Sequence, residues 1–487
     1  MLARLLSVIT IIFGVAACDQ NQTTDHKQGV KAATHIFDAS TRETASGLRD
    51  AAMKGSRAWE VLESLTTGIG PRLAGSENDA RAVEWAVRKF HELGYDRVWT
   101  EPVKLNGWRR IDAEAAILAP YPHKMAITSL GLSTSTPETG IEAEVAHFKT
   151  IEDLMAAPAD AAEGKIAFIS NRMERHRDGS GYGPAVRARS LGASEAAKRG
   201  ALAIIIRSIG TDSHRVPHTG AMRYEDGVTK IAAGAISNPD ADILVHVLER
   251  GGPVRIRLKL LNEDLGPIVT ANVIGEITGR EAPNEIVLIG GHLDSWDLGT
   301  GAVDDGAGVA ITMTAGHMIG ALPRRPRRTI RVVAFGAEEV GVYGGKAYAA
   351  AHEAELIEHV MAAESDFGAG RIYALAPKVA DAARPAMAEI AEILSPLGIT
   401  LDPKEGSGGP DVGPMARQGV AVASLRQDGA NYFDLHHTAD DTLDKVDPAA
   451  LDQNVAAYAA FAFLVAEYPG RFDDKKTDLR PSLETSH

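Results

Sequence analysis

The chain has 487 residues, 45% of them apolar, and a formal net charge of -14. Such a chain can bury a core and suits a soluble globular protein of two domains. The acidic balance excludes a nucleic-acid footprint, which needs a basic face, and a single cysteine excludes an internal disulfide.

In chain order, residues 1–17 read as an export signal. Arg4 precedes an apolar run, Leu5 to Val15, too short to span a bilayer comfortably, and two small residues come before Cys18. "VAAC" has the form of a bacterial lipobox. It places a lipid on Cys18 and the protein at the bacterial cell envelope, facing the periplasm or exterior; an ordinary signal peptide is the plainer alternative. Residues 18–45 form a polar tether. "SENDARAVEWAVRKFHELG" (76–94) predicts a helix with Ser76 as cap and Gly94 as stop, and "YDRVWTEPVKL" a strand. Residues 46–110 are therefore the first part of a main domain. Residues 111–268 differ in texture, with short strands ("GKIAFIS", "ALAIIIRS"), a helix ("GASEAAKRG") and an alternating "VRIRLKL". Period-two alternation suits a half-exposed strand in a small mixed or antiparallel sheet, so this segment is expected to be an inserted domain. "RMERHRDGSGYG" (172–183) reads as a surface loop able to close over a site, and the basic "RRPRR" (324–328) as a solvated turn.

From 269 to 470 the pattern is α/β. "EIVLIGGH" and "TIRVVAFGAEE" are unalternating apolar strands, while "GVAITMTAGHMIG" and "ALDQNVAAYAAFAFLVAEY" are helical. Such strands belong to a mostly parallel sheet flanked by helices, and ligands bind at their carboxyl ends. Residues 471–487 form a tail.

Acidic and histidine residues gather at those ends: His292 and Asp304 in "GGHLDSWDLGTGAVDDGAG" (290–308), Glu338 with Glu339, Glu364 with Asp366, and His436 with His437 in "HHTADDT". Singly each is weak; together they suit two zinc ions about 3.5–4 Å apart. His292, Asp304 and Asp366 can hold one ion, and Asp304, Glu339 and His437 the other, with Asp304 and a hydroxide bridging. Three carboxylates and one hydroxide cancel the charge of two zinc ions. Glu338 is left over beside a ligand, as suits a general base. Asp294 and Asp441 are candidate acceptors for the imidazole N–H groups. Glu364 lies two residues from Asp366 and faces the same way on a strand, so spacing does not choose between them. The spacing H-T-x-x-D-T favours His437 over His436. Asp297 has no assigned role.

The conjunction of "GPRLAGS" (70–76), "PHTG" (217–220), the 290–308 stretch, "GAEEVGVYGG" (336–345), "ESD" (364–366) and "HHTADDT" (436–442) resembles the co-catalytic di-zinc exopeptidases. That family includes bacterial leucyl aminopeptidases and glutamate carboxypeptidases, and the likeness is strongest to its carboxypeptidase Q branch. The resemblance implies a phosphorylase/hydrolase-like α/β fold interrupted by a protease-associated domain over 111–268. It implies His292, Asp304, Glu339, Asp366 and His437 as ligands of two Zn(2+), with Glu338 as base. A cis peptide between Asp304 and Asp305 and a homodimer are further implications. So is the substrate: dipeptides or other short peptides, attacked by the metal-bridging hydroxide. An aminopeptidase of broader range is the alternative, and a non-catalytic binding protein on the same fold a weaker one. The stretch 406–419 and Tyr432 are candidates for the substrate wall. A dinucleotide site at "GTGAVD" fails because Asp304 stands where the third glycine of the fingerprint should be.

Overall fold

The computed structural model describes residues 35–474. The export signal, Cys18 and most of the tether lie outside the described residues, as do residues 475–487. Four strands run parallel in the order Val422–Gln427, His359–Glu364, Ala282–His292 and Arg328–Phe335. Successive residues of these strands go to opposite faces. Val287, Ile289, Ile330 and Val332 join one core with the helices Ala307–Gly320 and Pro448–Glu467. Ile286, Leu288, Val333 and Phe335 join another with Tyr348 and Met415. Burial on both faces is why the strands show no polar alternation. Pro448–Glu467 is long and apolar enough to cross a membrane, yet it is packed inside the fold against the helices Ala39–Ala52 and Ala307–Gly320.

Two 23-residue strands, Arg97–Ala119 and Arg255–Ile277, form a long antiparallel ribbon. The later part of Arg255–Ile277 pairs with Arg328–Phe335, and its earlier part with Ile141–Phe148. The ribbon thereby joins the central strands to a second parallel group, Ile141–Phe148, Ile166–Ile169, Ala203–Arg207 and Ala232–Ile236. Ile127–Ser129 closes that group antiparallel. Among the described residues the sheet is mixed, with 14 strands. Residues 111 and 268, the expected limits of the inserted segment, both fall inside the ribbon strands.

The helix expected over 76–94 spans Glu77–Glu92, with the Ser76 side chain accepting a hydrogen bond from the Asp79 N–H at 3.0 Å. One expectation is corrected. "RRPRR" is not simply a solvated turn, because Arg328 is 1% exposed and donates to Glu285 at 2.5 Å and to the Gly470 carbonyl at 2.8 Å. Its guanidinium ties the start of a central strand to the chain that follows the last helix.

Candidate active site

His292 ends the strand Ala282–His292, Glu338 and Glu339 follow Arg328–Phe335, and Asp366 follows His359–Glu364. The histidine pair follows the short helix Tyr432–Leu435 beyond the strand Val422–Gln427. Parallel strand ends therefore bring together residues far apart in sequence. Asp304 enters from the loop before Ala307–Gly320 and lies between two groups. His292 Nε2 is 3.2 Å from Asp304 Oδ1 and 3.6 Å from Asp366 Oδ1. His437 Nε2 is 3.4 Å from Asp304 Oδ2 and 2.9 Å from Glu339 Oε2. His436 also approaches Asp304 Oδ2, at 3.8 Å, with its ring stacked on His437. The structure thus keeps both histidines beside Asp304, where spacing had favoured one. Glu364 is turned elsewhere: its Oε2 accepts the N–H of Asp411 at 2.8 Å. The peptide bond between Asp304 and Asp305 is cis.

The electrostatics show a cluster short of positive charge. Burial, reinforced by Asp366 and Asp411 against the pull of His292, holds Glu338 well above the usual carboxylate range. Burial and the charge of Asp304 do the same for Glu339. Burial alone would hold His292 neutral, but hydrogen bonding to Asp294, Asp304 and Asp366 outweighs it and raises the imidazole well above its ordinary value. Asp304 Oδ2 is buried with no hydrogen-bond partner. Unpaired buried carboxylates beside imidazole nitrogens are a donor set that fits divalent zinc. His292, Asp304 and Asp366 could hold one ion, and Asp304, Glu339 and His437 a second. Among the acids around this cluster, Glu338 and Asp366 keep partial exposure, whereas Asp294, Asp304, Asp305, Glu339, Glu364, Asp411 and Asp441 are buried.

The supporting shell differs in part from the sequence reading. His292 Nδ1 donates to the main-chain carbonyl of Asp294 at 3.0 Å, not to its carboxylate, which stands 3.6 Å off. That carboxylate instead accepts the N–H groups of Glu338 at 2.9 Å and Glu339 at 3.3 Å, so one side chain aligns both glutamates. Asp441 serves no imidazole; it accepts the N–H groups of Val303 at 2.6 Å and Asp304 at 3.1 Å. Asp305 accepts from the N–H of His292 and of Gly308, each at 3.0 Å. Asp297 pairs with Arg110 at 2.9 and 3.0 Å.

Four further residues had no assigned role in the sequence. Arg72 of "GPRLAGS" is fully buried and donates to the carbonyls of Leu293, Thr300 (2.7 Å) and Gly301 (2.9 Å), lacing the loop around Asp304. His218 of "PHTG" donates from Nδ1 to the His436 carbonyl and from Nε2 to Asp212, both at 2.7 Å. The next residue, Thr219, donates its N–H to the His437 carbonyl at 3.0 Å and accepts from His437 Nδ1 at 3.2 Å. Its carbonyl also takes Arg189 Nη1 at 3.3 Å. With Nδ1–H spent on a carbonyl, His437 Nε2 is free to bind a metal. His437 itself is in the left-handed region, φ 63°, which a non-glycine residue keeps only when its neighbours hold it there. The fourth, Arg110, also reaches Thr219 Oγ1 at 3.1 Å. The loop 172–183 is latched beside the site, with Arg175 on Asp434 at 2.6 Å and Arg177 on Asp428 at 2.9 Å. Tyr432, expected in the substrate wall, is buried near Asp304.

Comparison with known proteins agrees with this geometry. The model of peptidase family M28 matches residues 272–462. Carboxypeptidase Q of Bos taurus is 38% identical over 412 residues, 85% of this chain and 86% of that protein. Carboxypeptidase Q of Homo sapiens is 36% identical over 432 residues, covering 88% and 90%. The crystal structure of a peptidase M28 precursor from Shewanella amazonensis SB2B superposes with a TM-score of 0.88 at 52% identity, covering 90% of this chain and 99% of that one. An aminopeptidase from Aneurinibacillus sp. strain AM-1 superposes at 0.61 with 25% identity, covering 90% and 98%. With such identity sustained over most of its length, the chain belongs to peptidase family M28.

Proposed function

We propose that this protein is a zinc metallo-exopeptidase that hydrolyses dipeptides or other short peptides with unblocked ends. The observation that carries the reading is Asp304, whose two carboxylate oxygens each face an imidazole of a separate donor group, with Glu338 alongside. Two zinc ions bound there would supply Lewis acidity to the scissile carbonyl and to an attacking water. Glu338 takes a proton from that water as its oxygen bonds to the carbonyl carbon. The C–N bond then breaks, and Glu338 returns the proton to the leaving nitrogen. Its place beside the donor groups, with the side chain still partly exposed, suits both halves of this transfer. Asp294 keeps the base and Glu339 in register through their backbone N–H groups.

The similarity to carboxypeptidase Q supports a dipeptidase or carboxypeptidase of short peptides. The similarity to the Aneurinibacillus aminopeptidase supports the broader aminopeptidase as second reading. Residues 111–268 are proposed as a protease-associated domain whose 218–219 segment braces the metal side of the site. A lipid on Cys18 would anchor the chain at the bacterial envelope, and a homodimer is proposed from the family likeness. The test is Glu338→Gln. It should retain the zinc content of the wild type while hydrolysis of a free dipeptide falls by about 10²–10⁴-fold. Near-normal turnover would remove Glu338 as base.

A further inference from the structure

We propose that Glu364 seats the free α-ammonium group of the peptide, so that the site reads the amino end of its substrate. The proposal rests on the exopeptidase reading above and names what that reading leaves open. Glu364 is 5% exposed and ends the strand His359–Glu364, two residues before Asp366. Its two oxygens have different surroundings. Oε2 accepts the N–H of Asp411 at 2.8 Å and of Val412 at 3.4 Å. The loop comes this close only because residue 409 is glycine, with φ 129°; a Cβ there would lie 2.3 Å from Oε2. Oε1 has no hydrogen-bond partner. Asp411 repeats the pattern behind it, with Oδ1 on the Gly345 N–H at 2.7 Å and Oδ2 unpartnered.

Glu364 lines a cavity of about 280 Å³ together with Asp366, Asp178, Phe367, Tyr373 and Arg426. Arg426, the cation in that wall, is paired with Asp402 at 2.8 Å. The cavity is therefore acidic, and Asp366 places it directly against the proposed metal group. A buried carboxylate oxygen without a donor is costly unless a cation or donor meets it. An ammonium group offers three donors and no acceptor, whereas an N-acetyl amide offers one donor, no charge and added bulk. In a peptide cleaved after its first residue, the α-nitrogen is two bonds from the scissile carbonyl carbon. Recognition at Glu364 thus selects the first peptide bond, and a substrate carboxylate is repelled from the same wall.

The test compares an alanyl dipeptide with free ends, its N-acetyl form and its C-terminal amide, using zinc-loaded wild type and Glu364→Gln. Wild type should cleave the free and amidated peptides and discriminate against the acetylated one by about 100-fold or more in kcat/KM. In Glu364→Gln, zinc content should hold, KM for the free peptide should rise by about 10- to 100-fold, and discrimination should shrink by the same factor. An equal loss on free and acetylated peptides would overturn the proposal, since a merely structural carboxylate would act that way. A second measurement needs no variant: calorimetric binding of leucinamide against N-acetyl-leucinamide to the zinc-loaded wild type. Comparable affinities would overturn the seat even if turnover is normal. Failure to cleave any dipeptide, with tight and amine-dependent leucinamide binding, would sink the hydrolase reading and leave the seat standing.

Discussion

His218→Ala tests whether the 208–220 segment braces the metal side of the site. The substitution removes two bonds of 2.7 Å, one to the Asp212 carboxylate and one to the His436 carbonyl. A bond to a charged partner contributes about 1.5–3 kcal/mol and a neutral one about 0.5–1.5, so roughly 2–4.5 kcal/mol is at stake. Asp212 stays partly satisfied by the His214 N–H at 2.7 Å and Asn238 Nδ2 at 3.1 Å, which favours the lower half of that range. The functional consequence falls on His437. Once the His436 carbonyl is released, the left-handed backbone at His437, which costs about 1–2 kcal/mol, is held only by Thr219 and by the turn bonds of its neighbours, His436 N–H to Tyr432 at 2.9 Å and Thr438 N–H to Leu435 at 3.0 Å. Zinc affinity should drop by about 10- to 100-fold, the usual effect of losing an outer-shell partner. Competition between zinc-loaded protein and a chromogenic chelator measures it, with urea unfolding as the stability readout. Arg172→Ala, which breaks only an exposed pair with Asp242, is the control and should leave affinity unchanged. Wild-type zinc retention in His218→Ala, with stability lowered as calculated, would refute the brace and reduce His218 to a core histidine.

Arg72→Met should cost about 3 kcal/mol or more, because three buried carbonyls lose their donor; unfolding within about 1 kcal/mol of wild type would show that the loop does not need the guanidinium. Removing zinc should lower the unfolding midpoint, by an amount equivalent to about 4 kcal/mol when free zinc had stood a thousandfold above its Kd; an unchanged midpoint after verified chelation would argue against a metal in the folded site. Burial raises Asp79 to about 6 and Asp411 to about 8, so the folded zinc-free protein holds these protons more tightly than the unfolded chain, where aspartate titrates near 4. Their contribution is full below about pH 4 and is lost as pH rises through about 6 and then about 8. Zinc-free protein should therefore lose melting temperature between about pH 7 and 8, above the range where the buried histidines act in the opposite sense, and Asp411→Asn should flatten that fall; an unchanged slope in the variant would reverse the assignment.

Much of the candidate site was legible because each proposed metal ligand on the parallel strands sits within a few residues of an apolar run. "EIVLIGGH", "RVVAFGAEE" and the "ESD" after His359–Ala363 each announce both a buried strand and the polar group at its end. Two-sided burial produces that signal, and it needs no knowledge of what lies across the sheet. What the sequence could not distinguish were side chains equivalent by local rules. Strand alternation would put Glu364 and Asp366 on one face, but the strand ends at Glu364, and the loop 408–412 folds over Glu364 Oε2 and separates the two. Asp294, Asp297 and Asp441 look alike as loop acids. Their partners are backbone N–H groups 44 to 138 residues away, or an arginine 187 residues away, which no spacing reveals. The same holds for His218 and His436, joined across 218 residues. Local periodicity and the charge balance of a metal cluster are properties of the sequence by itself. The bonds that orient each ligand are decided only when the tertiary fold brings distant backbone within hydrogen-bond reach.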